Sequence, residues 1–121
     1  MDQLVRKQDW VRITDQDVRR YAEITQDFNP LHLDEDFARQ TTFGRRIIHG
    51  TLGVRVLLEV LEAHCGGKPL DMDFRFRRPI RVGGAVRLVL GETTEAGDTP
   101  FWIECEDGEQ AIVGSFRQAE K

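Results

Sequence analysis

A short segment in the first third of the chain has the residue spacing of an amphipathic helix. The following residues recur three or four positions apart: Val18, Tyr21, Ala22 and Thr25. This spacing predicts a helix over about Asp15 to Thr25. Thr14 suits the N-cap, and acidic residues in the first turn favour the positive end of the helix dipole. The helix should end before Pro30, because the residue preceding a proline avoids helical geometry.

Two further segments follow in the first half. Residues Gln26 to Leu33 are predicted to form a loop, after which Asp34 can cap a short helix that runs through Phe37 and Ala38. The longest predicted helix covers Gly50 to Cys65 and ends at Gly66-Gly67, with Pro69 just beyond. Its apolar residues are Leu52, Val54, Val56, Leu57, Leu58, Val60 and Leu61. They cover most of the circumference, which is typical of a helix buried in a core.

The second half changes to an alternation with a period of two, which predicts strands. The alternating apolar residues are Met72, Phe74 and Phe76, then Val86, Leu88 and Leu90, then Phe101, Ile103 and Cys105. A last strand is predicted at about Ala111 to Phe116, and a short first strand near Trp10 to Ile13. The turn signals between these runs are Gly83-Gly84, Gly97-Asp98 and Asp107-Gly108. Together they predict an α+β fold, with a curved antiparallel sheet of about five strands around the central helix.

Composition limits the class of protein. A chain of 121 residues with 40% hydrophobic and 31% charged residues suits one globular domain over residues 1–121. The net charge of -4 gives nucleic-acid binding no general electrostatic support, so an anionic ligand would need a local basic patch. No signal-like or membrane-spanning apolar run is present, which favours a cytoplasmic location. Cys65 and Cys105 lack the spacing of metal ligands and are expected to be idle thiols.

One loop contains candidate catalytic residues. Asp27 and His32 are five positions apart on a segment stiffened by Pro30. A carboxylate and an imidazole held on one rigid loop can position a single water molecule between them. Asn29 can fold its side chain back onto the loop backbone, as asparagine does in turns, so structural and functional roles are equally open for it.

A second candidate element is the start of the long helix. The amide of Gly50 comes at the positive end of the helix dipole and has no partner within the helix. Such an amide can stabilise an oxyanion that develops during a reaction. His49 precedes it and is interpreted mainly as fixing the entry of the chain into the helix. It is grouped with Gly50 as a candidate for binding the substrate or its oxyanion.

These segments resemble the MaoC-like, R-specific (type 2) enoyl-CoA hydratases, which have the hot-dog fold. The matching positions are Tyr21, Asp27, Asn29, Pro30, Leu31, His32 and Ala38, followed downstream by His49-Gly50. The resemblance implies that Asp27 and His32 are the catalytic pair, supported by Asn29, and that the Gly50 amide is the oxyanion donor. It also implies hydration of a trans-2-enoyl thioester to the R-3-hydroxyacyl thioester, or the reverse dehydration, in fatty-acid or related acyl metabolism.

Two departures from the family pattern leave alternatives open. Gln26 stands where the family usually has glycine, and Leu58 falls near the position of a helix serine found in some members. A hot-dog thioesterase would use an acid of the central helix, for which Glu59 and Glu62 are available. A non-catalytic domain that binds acyl thioesters is the third possibility.

The expected partners follow from the same resemblance. The substrate would be a thioester of coenzyme A or of acyl carrier protein, with no metal and no redox cofactor. Arginine suits phosphate recognition, and the candidates to bind the phosphates of coenzyme A are Arg45, Arg46, Arg75, Arg77, Arg78 and Arg81. The open edge of a five-stranded sheet, together with the resemblance, predicts a homodimer or a dimer-based oligomer. Neither nucleic acid nor a membrane is an expected partner.

Overall fold

The computed structural model describes residues 5–66 and 71–118. The helices are α1 (Asp15–Thr25), α2 (Pro30–Leu33), α3 (Glu35–Arg39) and α4 (Gly50–Cys65). The strands are β1 (Arg6–Lys7), β2 (Val11–Arg12), β3 (Asp71–Phe76), β4 (Ala85–Leu90), β5 (Thr99–Cys105) and β6 (Gln110–Arg117). This arrangement confirms the predicted α+β class, in which an antiparallel sheet accompanies a long central helix. Within the described residues, no helix is long and apolar enough to cross a membrane.

The strands form a single antiparallel sheet in the order β1-β4-β5-β6-β3, and β2 also pairs with β4. The two short strands thus lie along the same edge, and β3 forms the opposite edge. The alternation predicted for β5 is confirmed, because Phe101 and Ile103 are buried while Trp102 and Glu104 are partly exposed. β2 is shorter than the strand predicted from about Trp10 to Ile13. β1 was not predicted, because a strand of two residues is too short to show an alternation.

The amino end of α1 confirms its predicted cap. The Thr14 hydroxyl accepts a hydrogen bond from the Asp17 amide at 3.1 Å, and the Asp17 carboxylate accepts one from the Thr14 amide at 2.9 Å. This reciprocal pair is a capping box, which satisfies two amides that a helix start would otherwise leave unpaired. α1 buries Val18 and Ala22 against the rest of the protein, so the helix is anchored where it leads into the candidate loop.

The prediction of a loop over Gln26 to Leu33 is wrong in its second half, where Pro30–Leu33 form a helical turn. Asn29 is the N-cap of this turn, and its side-chain oxygen accepts a hydrogen bond from the Leu31 amide at 2.9 Å. Proline suits the first helical position because its fixed φ angle is helical and its missing N–H would have had no partner there. The same proline that ends α1 therefore begins α2. Asp34 caps α3 as predicted, by accepting from the Phe37 amide at 3.1 Å.

The expectation that α4 is buried nearly all round is also wrong. Within this chain α4 buries one face, formed by Leu52, Gly53, Leu57 and Leu61. Its remaining apolar residues, Val54, Val56, Leu58 and Val60, are partly exposed. A sheet that curves along one side of a helix covers only that side. Apolar residues around most of the circumference of α4 are therefore not all buried. The helix ends at Gly66, whose left-handed backbone lets its amide bond the Glu62 carbonyl at 2.9 Å. Gly67 and Pro69 lie outside the described residues.

The hydrophobic core lies between the buried face of α4 and the inner face of the sheet. Its largest fully buried side chains come from both layers: Leu57 and Leu61 from α4, and Leu88, Leu90, Phe101, Ile103 and Ile112 from the strands. Cys65 and Cys105 are free thiols that pack against this core. Burial raises the pKa of both thiols, which keeps them protonated and unreactive near neutral pH.

Candidate active site

The candidate site begins where α1 ends. Gln26 adopts a left-handed backbone conformation, with φ 60° and ψ 32°, and its amide bonds the Ala22 carbonyl. The Asp27 amide bonds the same carbonyl at 3.1 Å. The Asp27 side chain is exposed, and one carboxylate oxygen accepts a hydrogen bond from the Asn29 amide at 3.3 Å. The left-handed residue turns the chain sharply, so that Asp27 leaves the helix and faces α2.

His32 is held by hydrogen bonds on both its ring and its backbone. Its Nδ1 lies 2.8 Å from the Ile47 carbonyl oxygen. Because a carbonyl only accepts, Nδ1 carries the proton, and in the neutral ring Nε2 keeps a lone pair. The His32 carbonyl in turn accepts from Arg46 Nε at 2.8 Å. Burial lowers the pKa of His32, opposed by its hydrogen bond to Ile47. Near neutral pH this histidine is therefore an uncharged base with one available nitrogen.

His49 lies directly behind this pair. It is 2% exposed, and its Nε2 lies 3.0 Å from the Asp27 carbonyl oxygen, to which it donates. Its ring faces the His32 ring with centroids 3.9 Å apart, and Tyr21 packs against it edge-on at 5.2 Å. His49 therefore holds the backbone of one candidate residue and contacts the side chain of the other. His49 is also the N-cap residue of α4, but its side chain makes no capping hydrogen bond there.

The tertiary structure brings the three polar side chains together. A carboxylate oxygen of Asp27 and one ring nitrogen each of His32 and His49 all lie within 4.8 Å of one another. One water molecule can bridge groups at this separation, since each of its hydrogen bonds spans about 2.8 Å. The arrangement can therefore hold and deprotonate one water.

A mainly apolar cavity of about 330 Å³ opens beside this cluster. Its walls include Ile47, Ile48, Phe76, Pro79 and Ile80, and its polar end is formed by His32, His49 and the start of α4 at Gly50. Gly50 and Gly53 present no side chain to this space, so the helix backbone forms part of the wall. A flat, conjugated acyl group can therefore lie against the helix start with its reactive carbons facing His32.

The six candidate arginines occupy different environments. Arg77 and Arg78 line the cavity next to His32. A second cavity, of about 320 Å³, adjoins the first across Arg78, Pro79 and Ile80 and is lined by Arg45 and Arg81. Arg75 lines a different groove on β3 and β6. Arg46 differs from the others because its guanidinium bonds Asp15 at 2.5 Å and its side chain is 12% exposed. Arg46 therefore joins α1 to α2 and is not available to a ligand.

The acids of the thioesterase alternative lie elsewhere. Glu59 is exposed on α4, where it pairs with Arg55 at 3.4 Å and lines a groove against α1 and β2. Among the described residues, neither Glu59 nor Glu62 lines the cavity beside His32. The only described carboxylate grouped with the two histidines is that of Asp27.

Sequence reasoning missed two groups that build the site. The Ile47 carbonyl decides which nitrogen of His32 is free, and Arg46 supports the His32 backbone from behind. A backbone carbonyl carries no sequence signal. Arg46 does carry a sequence signal, because it lies in the segment just before His49-Gly50. An arginine, however, is as typical of phosphate binding as of a structural role.

Replacing Gln26 tests the left-handed turn. We expect Gln26→Gly to stabilise the protein by roughly 0.5–1 kcal/mol, because a non-glycine residue pays a steric penalty at positive φ. The gain is reduced by the loss of the hydrogen bond from Gln26 Nε2 to the Glu23 carbonyl at 2.7 Å. The matched variant Gln26→Ala loses that bond and keeps the strain, so it should destabilise. Urea unfolding measures both, and equal destabilisation by glycine and alanine would contradict this account.

Comparison with known proteins found similar sequences and a similar solved structure. The family model described as MaoC like domain matches residues 1–99. The chain is 39% identical over 79 residues to a 3-hydroxybutyryl-CoA dehydratase of Methylorubrum extorquens, covering 63% of this chain and 50% of that protein. It is 36% identical over 88 residues to an (R)-specific enoyl-CoA hydratase of Aeromonas caviae, covering 70% and 66%.

A solved structure extends the likeness to the whole fold. It is described as an (R)-hydratase from A. caviae involved in PHA biosynthesis, and it superposes with a TM-score of 0.77 at 27% identity. The match covers 95% of this chain and 94% of that one. By contrast, the chain spans between half and two thirds of the length of the two curated relatives above.

Proposed function

We propose, since this chain belongs to the MaoC-like domain family, that it hydrates trans-2-enoyl thioesters to R-3-hydroxyacyl thioesters and catalyses the reverse dehydration. The observation that carries the proposal is the pairing of a neutral His32, its Nε2 unprotonated, with the Asp27 carboxylate beside an apolar cavity. Similarity to proteins named enoyl-CoA hydratase and 3-hydroxybutyryl-CoA dehydratase supports this reaction class. The R configuration of the product rests on this likeness alone.

The chemistry assigns complementary tasks to the two residues. His32 Nε2 accepts one proton from the water as the water oxygen bonds the β-carbon of the enoyl group. The Asp27 carboxylate accepts a hydrogen bond from the second hydrogen and orients the water. His32 then returns its proton to the α-carbon, so water is the only reagent consumed. Metal and redox cofactors have no part in these steps.

The start of α4 serves the developing negative charge. As water adds, the thioester oxygen becomes an enolate oxyanion, which an unpaired amide at the positive end of a helix stabilises. Gly50 is the first residue of α4 and lines the cavity together with His32. A side chain at this position would approach Phe76, whose ring lies 3.7 Å from the site of a Cβ. This is an ordinary contact, so no clash requires glycine at this position.

The direct test is the absorbance of crotonyl-CoA at the band of the conjugated thioester. Hydration removes the double bond, so this absorbance should fall without release of free thiol. A thioesterase would release thiol, which a thiol reagent detects, and a binding domain would do neither. Chiral analysis of the product should give the R alcohol. Unchanged absorbance over a panel of short and long enoyl thioesters would contradict the proposal.

The phosphates of coenzyme A are proposed to bind the arginines around the second cavity, Arg45, Arg78 and Arg81. We expect alanine at one of these positions to raise KM for enoyl-CoA with little change in kcat, as for binding that is uniform along the reaction. High salt should reduce the effect, since exposed charges are screened. Arg39→Ala, on exposed α3, is the control. A wild-type KM in all three variants would show that these arginines only contact solvent. It would also favour an acyl-carrier-protein substrate.

We expect the protein to form at least a homodimer. β3 is the open edge of the sheet and ends at Phe76, which is 49% exposed and also lines the cavity. Pairing along this edge would cover unpaired backbone groups and bring a second chain next to the cavity. Light scattering at micromolar concentration should give at least twice the chain mass of 13.9 kDa. A monomer that turns over substrate would contradict this prediction. The cytoplasmic location stays a prediction.

A further inference from the structure

His49 is a buried polar residue whose polar atoms are only half satisfied. It is 2% exposed, and its Nε2 donates to the Asp27 carbonyl at 3.0 Å. Its Nδ1 is fully buried and has no hydrogen-bond partner among the described residues. A buried acceptor without a partner costs free energy. Since the side chain does not cap α4 either, stability alone does not explain a histidine at this position.

The hydrogen bond from His49 fixes the backbone of Asp27. The Asp27 amide bonds the Ala22 carbonyl at 3.1 Å, so with His49 on the Asp27 carbonyl both backbone groups of this exposed residue are held. Among the described residues, the Asp27 carboxylate accepts one hydrogen bond, from the Asn29 amide at 3.3 Å. Little holds the carboxylate directly, and its direction therefore depends on the backbone that His49 holds.

The ring of His49 also restrains the imidazole of His32. The two ring centroids lie 3.9 Å apart, and the ring planes are tilted by 31°. Rings packed this closely leave His32 little room to rotate. The hydrogen bond from its Nδ1 to Ile47 holds one edge of the His32 ring, while His49 covers one face. Together the two contacts fix the direction of Nε2, which is the nitrogen that must reach the water.

We propose that His49 is a positioning residue for the hydration, which holds the Asp27 carboxylate and the His32 imidazole in the geometry that lets them share one water molecule. In this role His49 binds neither the substrate nor its oxyanion, and it acts only through Asp27 and His32. The role rests on the proposed function. A misplacement of about 1 Å at a reacting group can cost ~100-fold in rate, so a residue behind the catalytic pair can have a large effect on kcat.

His49→Leu removes both contacts with a side chain of similar size. For crotonyl-CoA, kcat should fall at least ~10-fold because the catalytic pair loses its alignment. KM should stay near the parent value, since no contact with the substrate is removed. The unfolding temperature should not fall, because leucine buries no unpaired acceptor in place of Nδ1. Steady-state hydration and thermal unfolding of the full chain measure these effects.

Thr99 provides a matched buried polar control. It is 7% exposed, and its hydroxyl shares a hydrogen bond with the Thr93 hydroxyl at 2.7 Å. Thr99 lies in β5 and does not line the cavity beside His32. Thr99→Val should lower the unfolding temperature, because it leaves a hydroxyl unpaired, and should keep the parent kcat. The opposite pattern in the two variants separates a positioning role from a structural one.

Two further variants separate the hydrogen bond from the ring contact. His49→Gln keeps an N–H that can donate to the Asp27 carbonyl, but has no ring to cover His32. His49→Phe keeps a flat ring without an N–H. Each should recover part of the kcat that His49→Leu loses, because each restores one of the two contacts. His49→Gln also provides a polar variant if apolar residues at this position prevent folding. A kcat no higher than that of His49→Leu in both would overturn the role.

The kinetic outcomes decide between positioning and other roles. A parent kcat in His49→Leu would overturn the proposal. A raised KM with an unchanged kcat would also overturn it and would assign His49 to substrate binding. If kcat falls only in proportion to a loss of folded protein in all three variants, the role is structural and the proposal fails. A lower kcat at unchanged KM and stability supports it.

A measurement without substrate separates this proposal from the proposed function. In protein labelled with ¹⁵N-histidine, NMR should show His32 protonated at Nδ1 and His49 at Nε2, as their hydrogen bonds require. Exchange of the His32 Nδ1–H with solvent should be faster in His49→Leu than in the parent, since the ring has lost its support. Equal exchange rates would overturn the restraint of His32 by His49. A parent that shows this difference and hydrates no enoyl thioester would reject the proposed function and support the restraint.

Discussion

Asp27→Asn and His32→Gln should each lower kcat for hydration by at least ~100-fold while the protein stays folded. Asp27 is exposed, and glutamine can keep a polar group close to the Ile47 carbonyl, so neither change opens the core. Asparagine does not carry the negative charge that orients the water, and glutamine offers no basic nitrogen. Steady-state hydration of the best enoyl thioester, with circular dichroism as the folding check, measures the effect.

The double variant should be scarcely slower than the slower single variant, because both groups act on one water molecule and their effects do not add. The matched controls are Asp36→Asn on exposed α3 and His64→Gln at the end of α4, and both should keep the parent rate. Near-native rates in both site variants would mean that the segment from Asp27 to His32 is only a structural turn. The hydratase proposal would then have no mechanism.

The pH dependence provides a further check on His32. A base must be unprotonated to act, and burial lowers the pKa of His32 below its ordinary value of 6.5. In a plot of kcat/KM against pH, the rate should therefore rise as His32 loses its proton. The midpoint of this acidic limb should lie below pH 6.5. His32→Gln should remove this limb. A limb that persists in His32→Gln would assign the titration to a different group.

Gly114→Ala should destabilise the protein by about 3 kcal/mol, a large effect for the addition of one methyl group. Gly114 lies in β6 and pairs with Phe74 of β3 and Phe101 of β5. A Cβ at Gly114 would overlap the Asp73 carbonyl oxygen and lie 2.8 Å from the Phe74 Cα. Both are backbone atoms, so relief requires β3 to move away from β6. Urea or thermal unfolding measures the loss, which corresponds to a fall of roughly 10 °C.

Gly53→Ala is the matched control. Gly53 is also buried, but a Cβ there meets only side-chain atoms at 3.7 Å, which is ordinary contact. Since Gly53 lies inside α4, alanine should stabilise the protein by up to about 1 kcal/mol. If the free energy of unfolding of Gly114→Ala lies within about 0.5 kcal/mol of the parent value, β3 and β6 are not in the close contact described. The expected movement of β3 also carries Phe76 away from the cavity, so activity should fall with stability.

Local signals were sufficient for much of the secondary structure. The caps Thr14 and Asp34 each act through a residue three positions away, and the structure has both as expected. α1 and α4 have the predicted bounds of Asp15–Thr25 and Gly50–Cys65. The three runs with an alternation of period two are all strands, β3, β4 and β5. Each of these features depends on neighbours along the chain, and such neighbours are visible in a sequence.

Errors arise where one residue serves two elements or where burial depends on a distant surface. Pro30 correctly predicts the end of a helix, but a proline is equally suited to beginning one. The one-sided burial of α4 depends on how far the sheet curves, which local spacing does not encode. β1 forms through its register with β4, where Arg6 pairs with Leu90, and not through its own pattern.

For the candidate site, the sequence by itself determined that a carboxylate and an imidazole lie close together. Asp27 and His32 are near neighbours along a proline-stiffened segment, so their proximity needed no long-range contact. Only the tertiary structure decided how they can act. The hydrogen bond to the Ile47 carbonyl determines which ring nitrogen of His32 is unprotonated. His49, 22 positions from Asp27 along the chain, donates a hydrogen bond to the Asp27 carbonyl. Proton position and burial depend on contacts between segments that are distant along the chain, and such contacts exist only after the sheet has closed against α4.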